Sequence, residues 1–389
     1  MDFELSEDLK MIRSLAHDFV VNELRPLERD LLGRSASSND ARATLSAETE
    51  SGLVRKAKDA GLWGAAVPEE FGGVGLGTLA SCVIEEELAQ TVVPFDFGDV
   101  SPVLFECDAE QRSRYLVPAL NKERTALFAL LEPAPHGDVD QATQRKRPAA
   151  GLIAARAQKE GQDYVLNGVK TAVGKPGPNS FAVVFALVED AQPTCFLVDA
   201  GTSGFDIKAN DSERARVPLL LSFTNCRVAA SNRLGEEGTA FSLGSRWLPS
   251  RRIVRGARVV GAAQRLLEEA TVRAQTTQWF GKPVSERPSV RSALAEIATD
   301  IHACRLLVYE AAWKSDENKP VRNEASMVKL FATQMLRSVA SRVSHIYGGP
   351  NNLPADGPCS DAMTNGVGGL TADLQTELIA REILKGLKT

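Results

Sequence analysis

"DYVLNGVKTAVGKPGPNSFAVVFALV", Asp163 to Val188, decides the fold. Its two runs are rich in valine, phenylalanine, tyrosine and threonine, and Pro, Gly and Asn separate them. β-Branched and aromatic runs bounded by turn formers read as strands. Asn167-Gly168 is the dipeptide that most often turns a hairpin, so a turn is expected there. Runs of the same kind lie on either side: "GLIAARAQ", "TCFLVDA", "GFDIKA" and "VPLLLSFTNCRV". Residues 125–235 are therefore expected to form an antiparallel sheet domain.

Outward from this zone the period lengthens. Leu9, Ile12, Leu15, Phe19 and Val20 recur at helical spacing, with Ser6 as N-cap before an acidic first turn. A further helix is expected to end at Gly61. On the C-terminal side Ile253, Ala257, Val260, Ala263 and Leu267 share one helical face, and two more long helical runs follow. "EEEL", Glu85 to Leu88, reads as a solvated helix face. The fold class is α+β: an N-terminal helical domain over 1–124, a middle antiparallel β-domain over 125–235 and a C-terminal four-helix bundle over 236–389. With 389 residues, 43% of them hydrophobic, the chain can bury a core in each.

Composition narrows the function. The net charge is −5 and no basic block stands out, which argues against nucleic acid or an anionic membrane surface as partner. The six cysteines are scattered, with no C-x-x-C and no neighbouring His, so reduced thiols in a cytoplasmic protein are expected and no metal site. The charged start "MDFELSEDLK" has no apolar signal core, and no run approaches the length of a membrane span.

In order and spacing, several short motifs resemble the acyl-CoA dehydrogenases. "GLWGAAVPEEFGGVGLG" is similar to the family's N-terminal signature, and "FALLEPAPHGDVD" to its Thr-Glu-Pro-x-x-Gly-Ser-Asp flavin loop. "DYVLNGVKTAVG" is similar to its Asn-Gly-x-Lys-x-Trp-Ile-Thr strand, and "QWFGKPV" to its Arg-x-Gln-Phe-Gly-x-Pro turn. "IYGG" and "LTADLQTELIAREIL" match its closing segment. The resemblance implies FAD shared at a subunit interface and an acyl-CoA thioester as substrate. It places the flavin against Leu131, Pro133, Gly137, Val173, Gly174, Phe280, Gly348, Gly349, Thr371 and Asp373. Glu132 then reads as a residue that structures the loop.

Desaturating a thioester requires removal of a weakly acidic α-proton, which calls for a carboxylate in a dry pocket. The family carries that base in one of two places. Here Gly369 falls on the first and Arg251, next to Arg252, on the second. Glycine has no acceptor, and a guanidinium stays protonated at physiological pH. No catalytic residue is therefore assigned in this chain. Arg251 and Arg252 are expected to shape the substrate or partner site. His345 is expected to cap or pack. Other family side chains are replaced at Leu131, Gly137, Ala172, Gly174 and Thr277.

The pattern resembles the degenerate subunit of heteromeric α2β2 dehydrogenases that act on steroid-derived and other bulky thioesters, where a related subunit supplies the carboxylate. Two alternatives stay open at this level: an acyl-CoA oxidase or flavin monooxygenase on the same fold, and a scaffold subunit without chemistry.

Overall fold

The computed structural model describes residues 4–37, 45–133, 153–172, 176–188, 193–209, 219–349 and 372–386. Contacts group the chain into two compact units. One joins Met1–Phe97 to Leu248–Thr389; the other is Gly98–Trp247.

The first unit is helical. Ser6 caps α1 (Glu7–Phe19) by accepting from the Leu9 N–H at 3.3 Å, as its side-chain chemistry leads one to expect. A wide turn, Val20–Leu24, leads into α2 (Arg25–Ser37). α3 (Ala47–Asp59) ends where expected: Gly61 adopts a φ of +71°, and the Leu62 N–H reaches back to the Ala57 carbonyl. The buried face of α1 holds Ala16, Phe19 and Val20, whereas Leu15 is exposed. Small Ala16 takes the inward position and lets α1 approach closely, so the apolar stripe lies one residue from where Leu15 would put it.

α4 (Gly77–Leu88) corrects a second expectation. Glu85, Glu86 and Glu87 are not a solvated face; each is less than a tenth exposed. Consecutive helical residues point about 100° apart, so three in a row are buried only when helices surround the segment. Each carboxylate meets a different helix. Glu85 pairs with Arg258 at 3.0 Å on α5 (Leu248–Thr276). Glu86 accepts from Arg305 Nε at 2.7 Å and the Tyr309 hydroxyl at 2.9 Å, both on α6 (Pro288–Asp316). Glu87 meets His17 of α1 at 3.0 Å and the Gln90 amide at 2.8 Å. α4 and α5 touch at backbone level, because a Cβ on Gly261 would lie 2.0 Å from the Glu86 carbonyl oxygen. α7 (Arg322–Ile346) and α8 (Ala372–Gly386) complete the C-terminal bundle. Ile253, Ala257, Val260 and Ala263 line its core with Val308, Val328 and Val339.

The second unit is a sheet. Its strands are β1 (Ala126–Ala129), β2 (Arg156–Glu160), β3 (Asp163–Ala172), β4 (Phe181–Val188), β5 (Pro193–Asp199), β6 (Phe205–Ala209), β7 (Leu219–Val228) and β8 (Arg233–Leu234). The order is β6-β7-β3-β2-β4-β5-β8, with β1 also beside β4. Most pairings are antiparallel, as expected. β1 and β2, however, lie end to end along one edge of β4 and run parallel to it. Asn167-Gly168 is not a hairpin turn. The β2–β3 turn falls at Gly161-Gln162, between Glu160 and its partner Asp163. Gly168 instead sits in a bulge opposite β7, at a φ of +144°. A tight hairpin turn and this bulge both use positive φ, which Gly supplies; the pairing partner decides between them. A Cβ on Gly168 would lie 2.8 Å from Ala155 Cα, so only glycine lets β3 approach that segment.

Candidate active site

In the sheet unit the expected flavin loop begins as a short strap, Leu130–Pro133, that continues β1 alongside β3. The Leu131 carbonyl accepts from the Thr171 N–H at 2.8 Å and from the Thr171 hydroxyl at 3.3 Å. Glu132 turns inward, which bears out its reading as a structuring residue. Its carboxylate accepts from the Ala154 N–H and the Ala155 N–H, each at 2.8 Å, and from Lys170 Nζ at 2.8 Å. The Lys170 side chain is fully buried and also donates to the Leu130 carbonyl at 3.3 Å. Burial pushes the lysine's pKa below its ordinary value, and the Glu132 carboxylate pulls it part of the way back. Outward, Leu131 is 59% exposed, with Phe128 and Val169 also open to solvent. A planar ring cofactor needs such an apolar ledge on a rigid backbone, and these residues fit one. Ala172, where the family's tryptophan falls, is buried in the sheet core.

In the helical unit the "QWFGKPV" motif is a two-residue hairpin, Gln278–Trp279 against Lys282–Pro283. Phe280 and Gly281 occupy its tip with φ of +51° and +73°. Both central residues thus take the left-handed form that a tight hairpin requires. Glycine tolerates this freely; for a phenylalanine it costs about 1–2 kcal/mol. Phe280 is nevertheless 93% exposed, its ring edge-on to Trp279 at 5.4 Å. Its ring therefore adds nothing to the buried core of the helical unit. Thr277, in the position of the family's arginine, is held at the end of α5, its N–H bonded to the Arg273 carbonyl. The Arg273 guanidinium lies over the Tyr347 ring at 5.2 Å, beside Gly348 and Gly349. These two glycines end α7: their N–H groups return to His345 and Ser344, and His345 is exposed.

Arg251 and Arg252 stand in the first turns of α5, both half-buried. Burial and the neighbouring Arg322 push Arg252 below its ordinary value; burial, Arg252 and Arg255 do the same to Lys329. Like charges from α5 and α7 therefore face one another here, an arrangement suited to an anion. Gly137, Val173, Gly174, Gly369 and Thr371 lie outside the described residues, and Asp373 lies in α8, where only the backbone is described. Among the described residues no cluster of His, Cys, Asp and Glu could hold a metal ion, and no helix is long and apolar enough to cross a membrane. The sequence reading missed the Lys170–Glu132 pair and the Thr171 contact. A lysine between two β-branched residues of a strand, facing opposite to Val169 and Thr171, was the available signal.

Two family models match the chain: the acyl-CoA dehydrogenase N-terminal domain over residues 6–123 and the C-terminal domain over residues 238–384. A (R)-benzylsuccinyl-CoA dehydrogenase from Thauera aromatica is 30% identical, covering 90% of this chain and 88% of that protein. The short-chain specific acyl-CoA dehydrogenase of Mus musculus mitochondria is 28% identical, covering 99% of this chain and 92% of that protein. The butyryl-CoA dehydrogenase structure from Megasphaera elsdenii aligns with a TM-score of 0.78 and 25% identity, covering 99% of this chain and 100% of that one. The chain belongs to the acyl-CoA dehydrogenase family, with FAD as its cofactor and the oxidation of acyl-CoA thioesters as its chemistry.

Proposed function

We propose that this chain is one subunit of a heteromeric α2β2 acyl-CoA dehydrogenase that desaturates a thioester at the α,β bond, and that a related subunit supplies the catalytic carboxylate. The observation that carries this reading is the residue at each base position: Arg251 at the start of α5, and Gly369 before α8. When bound, FAD supplies the acceptor for the β-hydrogen. Loss of the α-proton still needs a group that can take it, and neither a guanidinium nor a glycine can. This chain keeps a frame for binding: a ledge at Leu131, where leucine replaces the family's threonine, the Phe280 hairpin and the Gly348-Gly349 end of α7. The 93% exposure of Phe280 supports a cofactor shared between subunits, since an exposed aromatic tip is open to contact from a second chain or its ligand. The remaining parts of the proposal are a cytoplasmic location, three lobes divided near residues 124 and 235, and a bulky, ring-bearing acyl group of the steroid-derived kind. The relative named for benzylsuccinyl-CoA supports the ring-bearing class.

The test is co-expression with a dehydrogenase-like partner, followed by acyl-CoA oxidation with an artificial electron acceptor. The chain alone is expected to show no turnover, and the pair to show it. Substantial turnover by the chain alone would refute the proposal.

A further inference from the structure

We propose that Glu132 and Lys170 are a positioning pair for the flavin, their buried contact setting the shape of the ledge that Leu131 and Val169 present. The inference rests on the reading that FAD binds at this ledge. One carboxylate fastens three segments of chain: its own strap, the Ala154–Ala155 turn into β2, and β3 through Lys170. Lys170 fastens the strap a second time at the Leu130 carbonyl, and Thr171 a third time at the Leu131 carbonyl. Gly168 closes the same frame from the other side, because its missing Cβ is what lets β3 lie against Ala155. Stability alone does not account for such a pair. A buried ion pair is often matched or bettered by apolar residues of similar volume, and burial here disfavours the charge on Lys170. What an apolar replacement could not do is fix the backbone of three segments to a fraction of an ångström, and a rigid cofactor needs that accuracy. The exposed side of the frame is apolar, at Phe128, Leu131 and Val169, so the polar fasteners point inward and the ledge outward.

The experiment titrates the full chain, purified together with its co-expressed partner subunit, with FAD, following flavin fluorescence and the visible spectrum of the bound flavin, alongside thermal unfolding without flavin. Glu132→Gln keeps the shape and removes the charge. It is expected to weaken FAD binding about tenfold at temperatures where the protein stays folded, and to blur the fine structure of the flavin band. The double variant Glu132→Gln/Lys170→Met removes both charges, so it is expected to recover much of the thermal stability lost by Lys170→Met alone without recovering FAD affinity. A merely structural pair would make stability and FAD affinity recover together, and that result would overturn the inference. Thr171→Val leaves the pair intact and removes only the hydroxyl at the Leu131 carbonyl. It is expected to weaken FAD several-fold, and it decides the matter if the charge variants do not fold; wild-type affinity in it would overturn the inference. A wild-type complex that takes up FAD beside unaffected variants overturns this inference alone. A wild-type complex that takes up none overturns the flavin reading as well.

Discussion

Replacing Gly261 by alanine would place a methyl carbon 2.0 Å from the Glu86 carbonyl oxygen, 2.8 Å from its carbon and 3.0 Å from Ala89 Cβ. The first two are backbone atoms inside α4 and cannot swing aside, so α4 and α5 must separate. Overpacking of this kind costs about 1–3 kcal/mol, and the backbone obstacle puts this site at the upper end. Against it stands the helix propensity of alanine, about 1 kcal/mol better than glycine in a helix interior. The net expectation is a loss of about 2 kcal/mol. Gly52 provides the contrast. It lies within α3, and a Cβ there meets nothing within 4 Å. Gly52→Ala should therefore show the propensity gain alone, about 0.5–1 kcal/mol more stable. The same chemical change then moves the urea midpoint in opposite directions, read by far-UV circular dichroism at constant slope. If Gly261→Ala unfolds at or above the wild-type midpoint, the close approach of α4 and α5 is wrong.

Tyr309→Phe removes one donor from the buried Glu86 carboxylate and should cost about 1.5–3 kcal/mol in urea unfolding; a loss below about 0.5 kcal/mol would deny that bond its strength. Phe280→Gly relieves the left-handed strain and should raise stability by about 1 kcal/mol while lowering FAD uptake, so a calorimetric scan and a flavin titration must move in opposite senses. Stability should also fall at alkaline pH. Burial pushes the Cys107 and Cys304 thiols up to about 12 and Cys226 to about 11, from an ordinary value of 9.0. Burial and then Asp199 push the Tyr115 hydroxyl from 10.0 to about 12. Between these values the unfolded chain has released protons that the folded chain retains, so stability drops with rising pH from about 9 towards 12 and is indifferent to these groups below. The slope is about 1.4 kcal/mol per pH unit for each titrating group. Lys170 and Lys329, whose charges burial disfavours, work the other way but are outnumbered. Urea midpoints that stay level from pH 8 to 11 would contradict the buried placement of these groups.

Periodicity carried most of the fold, because amphipathic spacing directly reports which side of an element faces a core. α1, α3 and α5 fall where Ser6, Gly61 and the Ile253–Ala263 face put them. What it could not carry were features fixed by a second segment. Asn167-Gly168 announces positive φ, but the register with β7 and the closeness of Ala155 make it a bulge. Leu15 shares a stripe with Phe19, yet the small Ala16 takes the contact. Motif register placed Glu132 correctly as a structural residue, whereas its partner Lys170 is identified by three-dimensional contact. The Phe280 motif was legible in sequence; that its ring is exposed and strained was not, since neither property leaves a trace in composition.

The carboxylates held largely out of solvent bear on the proposal that a partner supplies the base. Glu85, Glu86, Glu87 and Glu132 are the acidic residues a search for a dry general base would turn up first. Each is already engaged: Glu85 by Arg258, Glu86 by Arg305 and Tyr309, Glu87 by His17 and Gln90, and Glu132 by Lys170 and two backbone N–H groups. A base must point a free lone pair at the proton it removes. These side chains direct theirs at fixed partners, and freeing Glu132 would leave the fully buried Lys170 ammonium unpaired at a cost of several kcal/mol. The chain uses buried acids as fasteners, radially around α4 and across three segments at the flavin ledge. Among the described residues, the engagement of these four carboxylates accords with the proposed binding framework, in which a partner subunit supplies the proton acceptor.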